Sequence, residues 1–354
     1  MTGSPSKGYS TAVEIPAEKT FLQTHVESVF YQSVGSDLSC ATHIFEGSGG
    51  NGPDKRDFDV MLDYLDGLGN GDPIEWRWAP PVDIDSNRLW KHMHGSHGSE
   101  WDPTNGKWRV SLVTYPQIAK MQLGVKNRAF DSGITEVINR IANDNRLTPG
   151  VVESRDPVEF KRLVQSNQSD WEFITGNLMF KLGHQQVGGV EMFTTSGNDL
   201  NLASLMYGGQ TFEPHPSTVL KVSEYENSFD RVMMGGSETS VIGLDHYQKT
   251  DVAEEDSSRL TMQHTGTRTV YVPSRKNDAL QSWASARVQR HSGRHRMITI
   301  SLTGFMPDEI VLPCNILLTG GLYRKKNIKG TVISALWRLQ NKRLIVDLTA
   351  RLTE

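Results

Sequence analysis

One short segment, residues 163–178, constrains the fold of this chain more than any other. It opens with a strand-like run and continues with Ser169 and Asp170, two residue types that are frequent in turns. Apolar residues then recur at helical spacing, at Trp171, Ile174 and Leu178. A side-chain oxygen of Ser169 or Asp170 can accept a hydrogen bond from a free backbone N–H at the start of a helix. The sequence therefore predicts a strand, a turn and then a helix capped by one of these two residues.

The length and composition exclude several classes of protein. With 354 residues, the chain is long enough for about two domains and can bury large cores without disulfide bonds. Its two cysteines, Cys40 and Cys314, form neither a disulfide framework nor a metal-binding spacing. We expect both thiols to be reduced, as is usual for a protein made in the cytoplasm. No apolar run approaches the roughly 20 residues of a membrane helix, so we expect no stable membrane insertion.

Strand-like and helical patterns divide the chain into four parts. Residues 1–19 are predicted to be a flexible N-terminal arm. Residues 20–126 and 211–354 hold several short strands separated by turns, which is typical of a barrel or a sandwich. Residues 127–210 contain an amphipathic helix and the segment described above. The sequence therefore predicts a β domain, a small α/β insertion and a second β domain, the last with one helix at residues 278–290.

Two interpretations stay open for residues 57–64. Alternate apolar residues fit a strand, namely Phe58, Val60, Leu62 and Tyr64. Apolar residues at helical spacing fit a helix equally well, namely Phe58, Met61, Leu62 and Leu65.

Three histidines are the strongest candidates for a metal site. His92, His94 and His97 fall within six residues, and neutral imidazoles bind Zn²⁺. No cysteine pair completes a structural zinc site, so we favour an exposed loop at an assembly contact. A GxGxxG run at residues 47–52 lacks the βαβ context of a dinucleotide site, and no Gly-x-Ser-x-Gly nucleophile elbow occurs. The sequence therefore predicts no catalytic, cofactor-binding or metal site.

Residues 165–173 read Gln-Ser-Asn-Gln-Ser-Asp-Trp-Glu-Phe, which resembles the QSxxSDWxFL signature of contractile-tail hub proteins. This group comprises the late-control-protein family, the hub proteins of T4-like baseplates and the N-terminal part of type VI secretion spike proteins. Further stretches that are similar to family patterns are a helix ending before Pro149, the run Gly304–Pro313 and the run Gly71–Glu75. The resemblance rests on these motifs over residues 130–354 and on the strand pattern alone over residues 20–126.

The resemblance implies a fold and an assembly. The fold is α+β and mainly β, with two tube-like β-barrel domains at residues 20–126 and 211–354 joined by the α/β insertion at residues 127–210. A homotrimer would present a pseudo-six-fold ring of barrels to the hexameric tail tube protein and would hold the central spike protein on the other side. The tape measure protein and neighbouring baseplate proteins are further expected partners, and DNA only passes through the lumen. The implied location is the tail baseplate of a virion, assembled in the host cytoplasm.

The implied role is structural, without enzymatic activity or a cofactor. Ser169, Asp170, Trp171 and Phe173 are expected to form a structural motif, and Asp170→Asn should be mild because asparagine keeps a capping oxygen. One alternative is a cell-wall-degrading enzyme carried on the tail. Another is the N-terminal part of a secretion-system spike, which is disfavoured because no needle repeats follow Glu354.

Overall fold

The computed structural model describes most of the chain. The described residues are 10–15, 20–24, 27–34, 39–48, 53–79, 89–153, 163–179, 190–204, 210–226, 240–245, 251–255, 271–274, 296–305, 307, 309–323, 326–340 and 343–352. The predicted helix at residues 278–290 lies outside them.

The described elements are mostly strands. The strands are β1 (Ser10–Ile15), β2 (Thr20–Thr24), β3 (Glu27–Ser33), β4 (Cys40–Ser48), β5 (Pro73–Ala79), β6 (Trp90–Asp102), β7 (Lys107–Pro116), β8 (Lys126–Phe130), β9 (Thr148–Val152), β10 (Leu163–Gln168), β11 (Val190–Phe193), β12 (Asp199–Ser204), β13 (Thr211–Phe212), β14 (Val219–Glu226), β15 (Ser240–Asp245), β16 (Asp251–Glu255), β17 (Tyr271–Ser274), β18 (Arg296–Thr303), β19 (Cys314–Tyr323), β20 (Lys326–Gln340) and β21 (Arg343–Leu352). The helices are α1 (Pro53–Asp66), α2 (Ile134–Asp144) and α3 (Asp170–Phe173), and α3 continues into a π-helical turn, Ile174–Leu178. This content confirms the predicted mainly β fold with helices. No helix within the described ranges is long and apolar enough to cross a membrane.

One large sheet contains strands from both predicted β domains. Its described strands follow the order β14-β18-β21-β20-β3-β4-β7-β6-β5-β1-β2, with β19 and β13 branching from β20. The pairings close neither region into a ring among the described strands, so the two tube-like barrels remain a prediction. Three smaller sheets consist of β8 with β10, of β9 with β11 and β12, and of β15 with β16 and β17.

The long strand β20 joins the two regions because it changes partner along one edge. Its first part pairs with β19, up to Val332 opposite Cys314, and its second part pairs with β3, from Ser334 opposite Ser33. Side chains alternate across the second part, so Ala335, Trp337 and Leu339 all point into the core. The Trp337 ring stacks on Phe30 of β3, with ring centroids 5.3 Å apart. A single apolar core therefore extends under both β regions.

Two parts of the N-terminal region bear on the sequence-based predictions. One differs from its prediction, and the other decides between two alternatives that the sequence left open. Residues 10–15, which were expected to belong to a flexible arm, form β1 between β2 and β5. Residues 57–64 lie in helix α1, not in a strand. Met61 and Leu65, four residues apart, are buried against the sheet core, whereas Asp59 and Asp63 are exposed.

The insertion has its own apolar core. Helix α2 contributes one face of five buried residues, Ile134, Val137, Ile138, Ile141 and Ala142. Strands β8 to β12 and the α3 segment supply the other walls of this core. The predicted amphipathic helix is thus present at the expected place.

The turn between β11 and β12 attaches the insertion to the large sheet. The Ser196 carbonyl accepts a hydrogen bond from the Lys91 N–H at 2.9 Å, and the Thr194 carbonyl accepts one from the Gln32 side chain at 2.9 Å. The Asp199 carboxylate shapes the turn, since it accepts hydrogen bonds from the backbone N–H groups of Thr195 and Ser196. Because these bonds join backbone to backbone and to buried side chains, the insertion has a defined position on β3 and β6.

Gly197 in this turn should tolerate no larger residue. Its φ is +90°, and an added Cβ would lie 2.4 Å from the Lys91 carbonyl oxygen. We expect Gly197→Ala to lower the free energy of unfolding by about 2–4 kcal/mol, from backbone strain and overpacking together. Gly71 has a similar φ of +92° with nothing within 4 Å of an added Cβ, so Gly71→Ala is the matched control and should cost only about 1 kcal/mol. Chemical denaturation of both variants measures the difference, and equal costs would contradict the described contact.

Candidate functional site

The segment that carries the family resemblance begins with a capping box. Ser169 Oγ accepts a hydrogen bond from the Glu172 N–H at 3.1 Å, and Glu172 Oε2 accepts one from the Ser169 N–H at 2.8 Å. The two side chains thereby satisfy backbone groups at the start of α3 that have no partner within the helix. The N-cap is therefore Ser169, and Asp170 is the first residue of the helix.

Asp170 does not cap the helix. Its carboxylate instead joins several elements of the insertion. Its side chain is 1% exposed. Oδ1 accepts hydrogen bonds from Arg128 of β8 and from Gln165 of β10, the latter at 3.0 Å. Oδ2 accepts from Lys126 of β8 at 2.5 Å and from Asn145, directly after α2, at 2.7 Å. One carboxylate thus connects β8, β10, α3 and the end of α2.

The charge of Asp170 is stabilised by these contacts. Burial alone would raise the pKa of this carboxyl group, but the hydrogen bonds from Lys126, Asn145 and Gln165 and the charge of Arg128 lower the pKa below its ordinary value. Both oxygens already have two donors each. The arrangement suits a permanently ionised structural carboxylate and leaves no oxygen directed at an open site.

The two aromatic residues of the motif differ in burial. Phe173 is 1% exposed and stacks on Phe130 of β8, with ring centroids 5.9 Å apart and planes inclined by 16°. Trp171 is only partly buried and packs at the margin of the same core. Of the two aromatic residues, Phe173 is therefore the one that belongs to the centre of this core.

The prediction that the three histidines lie in an exposed loop is wrong, because His92, His94 and His97 lie in strand β6. His92 is completely buried, and its Nδ1 lies 2.9 Å from Thr114 Oγ1 of β7. His94 and His97 contact each other through Nε2 and Nδ1 at 3.0 Å. No group of three or more His, Cys, Asp or Glu residues in the described ranges is arranged to hold a metal ion. The rest of the GxGxxG run after Ser48 lies outside these ranges.

His43 of β4 is also buried, and the sequence did not single it out. Its ring packs edge-on against Trp76, as does the ring of His92, at centroid distances of 4.8 and 5.2 Å. Burial lowers the pKa of His43 to about 3, and burial together with the nearby His43 lowers the pKa of His92 well below its ordinary value. Both imidazoles are therefore neutral parts of the aromatic core. The alternation of residues 41–45 along the strand was the signal that His43 faces inward.

Both cysteines are free thiols, as the sequence predicts. Cys314 is buried, Cys40 is partly buried, and neither is in a disulfide. Burial raises the pKa of Cys314 to about 12, so this thiol is not a nucleophile near neutral pH.

Replacing Asp170 should be costly, in contrast to the mild effect expected from the sequence. In Asp170→Asn, Lys126 and Arg128 lose the buried negative charge that pairs with them, and the amide nitrogen faces donors. We expect a loss of about 2–4 kcal/mol in the free energy of unfolding. Asp144→Asn is the matched control, because Asp144 also binds Arg128 at 2.6 Å but its side chain is 43% exposed. That variant should lose less than about 1 kcal/mol. Equal losses in urea denaturation would show that the buried network is not what holds the insertion.

The buried His43 should make the protein sensitive to acid. The unfolded chain takes up a proton on this residue near pH 6.5, whereas the folded chain does so only at about pH 3. The stability from neutral His43 is therefore complete above about pH 6.5 and is lost as the pH falls toward 3. By pH 5 the loss is about 2 kcal/mol, and His43→Leu should remove that part of the pH dependence. His215→Gln, which removes an exposed histidine, is the control for the loss of one imidazole. An unchanged profile in His43→Leu would contradict the neutral buried state.

The comparisons with known proteins bear on the fold. No protein-family model matches the sequence, and no curated protein matches it. The tail protein of Neisseria meningitidis MC58 superposes with a TM-score of 0.64 at 10% sequence identity, over 97% of this chain and 96% of that chain. The 43 kDa tail protein of prophage MuSo2 from Shewanella oneidensis gives a TM-score of 0.65 at 10% identity, over 96% of this chain and 97% of that chain.

A third match comes from a secretion system. It is an E. coli component of the type VI secretion system that is described as structurally similar to T4 bacteriophage tail proteins, and it gives a TM-score of 0.57 at 9% identity. The alignment covers 94% of this chain and 74% of that chain. At such identities the comparisons establish the fold alone. They confirm, at the level of the fold, the resemblance to tail and baseplate proteins that residues 165–173 carry.

Proposed function

We propose that this chain is a structural hub protein of a contractile-tail baseplate or a related injection machine, where it adapts the hexameric tail tube to the trimeric central spike. The observation that carries this proposal is the likeness of fold to two phage tail proteins over nearly the whole length of both partners. The QSNQSDWEF sequence at residues 165–173, which the fold comparison does not use, supports it independently.

The proposed mechanism is geometric. Three chains form a ring, and each supplies two tube-like β domains, residues 20–126 and 211–354, so that six β units face the six-fold tube. Such a unit must hold its two halves at a fixed angle. The pairing of β3 with β20 and the Phe30–Trp337 contact support that requirement, because they join the halves by backbone hydrogen bonds and a common core. The spike protein binds the opposite side of the trimer, and the tape measure protein and neighbouring baseplate proteins complete the assembly.

In this mechanism the insertion at residues 127–210 acts as a rigid spacer. Its docking turn at residues 194–198 and its Asp170 network both restrict movement. The carboxylate of Asp170 is fully occupied by donors, which supports a structural rather than a catalytic function for this motif. We therefore propose a non-enzymatic role for the protein in the virion tail.

A second candidate function is a spike component of a type VI secretion system. The fold likeness to the E. coli secretion component favours it, although that alignment leaves about a quarter of the other chain unmatched, as it covers 74% of it. The two functions differ in the partner chain. Affinity capture from the producing cell, with the full-length protein as bait, would recover phage tail tube and spike proteins in one case and secretion-sheath proteins in the other.

The oligomeric state tests the proposed hub function. Mass photometry of the purified full-length protein, alone and mixed with its spike protein, should give three copies per particle, since two β domains per chain must fill six positions. Quantitative mass spectrometry of the assembled tail provides the second measurement and should give three chains per spike trimer. A stable dimer, or six copies per spike trimer, would contradict the proposal.

A further inference from the structure

A β-bulge at Gly95 brings two histidines of β6 to the same side of the sheet. Pairing with β7 shifts by one residue there, from His94 opposite Thr114 to Ser96 opposite Val113. In a regular strand, residues three apart point to opposite faces, and one extra residue restores a common face. Gly95 is required at the bulge, because an added Cβ would lie 2.5 Å from the Tyr115 ring.

The two imidazoles form part of a hydrogen-bonded chain that ends in an acceptor on each side. His94 Nδ1 lies 3.2 Å from the Gly69 carbonyl oxygen, and His94 Nε2 lies 3.0 Å from His97 Nδ1. His97 Nε2 lies 3.0 Å from Asp66 Oδ1 at the end of α1. A carbonyl oxygen and a carboxylate accept hydrogen bonds and cannot donate them.

The two acceptors at the ends determine how many protons the hydrogen-bonded chain needs. His94 must carry a proton on Nδ1 to donate to Gly69, and His97 must carry one on Nε2 to donate to Asp66. The bond between the rings needs a third proton. Two neutral imidazoles carry only two protons, so without the third the lone pairs of His94 Nε2 and His97 Nδ1 face each other at 3.0 Å.

We propose that His94, His97 and Asp66 form a pH-sensitive latch, which is complete when the histidine pair carries one positive charge and is broken when the pair is neutral. The latch fastens the end of α1 and the following turn to strand β6. The same turn contacts β6 through its backbone, since Gly71 N–H donates to the His94 carbonyl at 2.8 Å and His94 N–H donates to the Asp72 carbonyl at 2.7 Å. Loss of the third proton therefore weakens a short segment and leaves the large core intact.

Two carboxylates lie close to the histidine pair. Asp66 from α1 contacts His97 directly, and Asp72 from the turn accepts a hydrogen bond from the Gly69 N–H at 2.7 Å. From β7 the residues opposite the pair are Thr114, paired with His94, and Leu112, paired with His97, and neither carries a titratable group. Lys120 interacts electrostatically with Asp72, so that carboxylate partly balances the positive charge of Lys120. Asp66 is 72% exposed, so added salt should weaken the latch.

The direction of the pH effect follows from proton binding. The closed latch holds a proton that two neutral imidazoles lack, so a lower pH closes the latch and a higher pH opens it. This direction is opposite to that of the buried His43, whose contribution falls with acid. A local measurement is therefore needed to separate the two.

Asp66→Asn distinguishes the latch from an ordinary ion pair. An asparagine amide at this position donates to His97 Nε2, so His97 donates from Nδ1 to His94 and His94 donates to Gly69. The chain is then complete with two neutral imidazoles and needs no third proton. Asp63→Asn, an exposed change of the same kind on α1, is the matched control.

Hydrogen exchange followed by mass spectrometry on the full-length protein tests the proposal. After correction for the intrinsic exchange rate, amide protection in residues 67–72 of the wild type and of Asp63→Asn should fall between pH 5.5 and pH 8 on the order of fivefold, as expected for the loss of one hydrogen bond. Asp66→Asn should keep equal protection at both pH values, and His97→Leu should show the lower protection of the open wild type at both. The latch is refuted if wild-type protection does not change with pH, or if Asp66→Asn changes as the wild type does.

Discussion

The pairing of strand β3 with the second half of β20 is the interaction on which the rest of the structure depends. It connects residues about three hundred positions apart in the sequence, since Gln340 lies opposite Glu27. Without it the N-terminal and C-terminal strands would form two separate sheets, and the contact between Phe30 and Trp337 would be lost. With it, one sheet and one apolar core extend through both β regions. The insertion then docks onto β3 and β6, so its position also depends on this sheet.

Buried titratable groups are ionised in one apolar core and neutral in the other. Asp170 keeps its charge because cations and amides surround both carboxylate oxygens, so that its burial is compensated. His43 and His92 instead remain neutral among aromatic rings, and one nitrogen of each lies near a hydroxyl group. The ionised carboxylate fixes several elements relative to one another, whereas the neutral rings fill space. Only the second arrangement is sensitive to mild acid, because protonation there has no counter-charge.

Local patterns predicted the elements better than they predicted the contacts. The apolar face of α2 and the polar start of α3 are both properties of neighbouring residues, and the sequence placed these elements correctly. The partners of Asp170 come from residues 126–165, and the sequence around Asp170 does not indicate these contacts, so the cap was left open between Ser169 and Asp170 and the ion-pair network was not predicted. The histidines of β6 were assigned to a loop because glycine and serine surround them. In the structure Gly95 makes a bulge instead, a role that depends on Tyr115 of the neighbouring strand. The β3–β20 pairing was missed for the same reason, since register across distant segments leaves no local pattern.

The central claim is that the chain forms the axial adapter of a tail, with its two β regions held as one rigid unit. A cryo-electron microscopy reconstruction of the assembled tail tip tests this most directly, because it gives position, copy number and internal geometry together. The account predicts three copies around the tail axis between tube and spike, each with β3 paired to β20. Density for the chain away from the axis, or a copy number other than three, would contradict it.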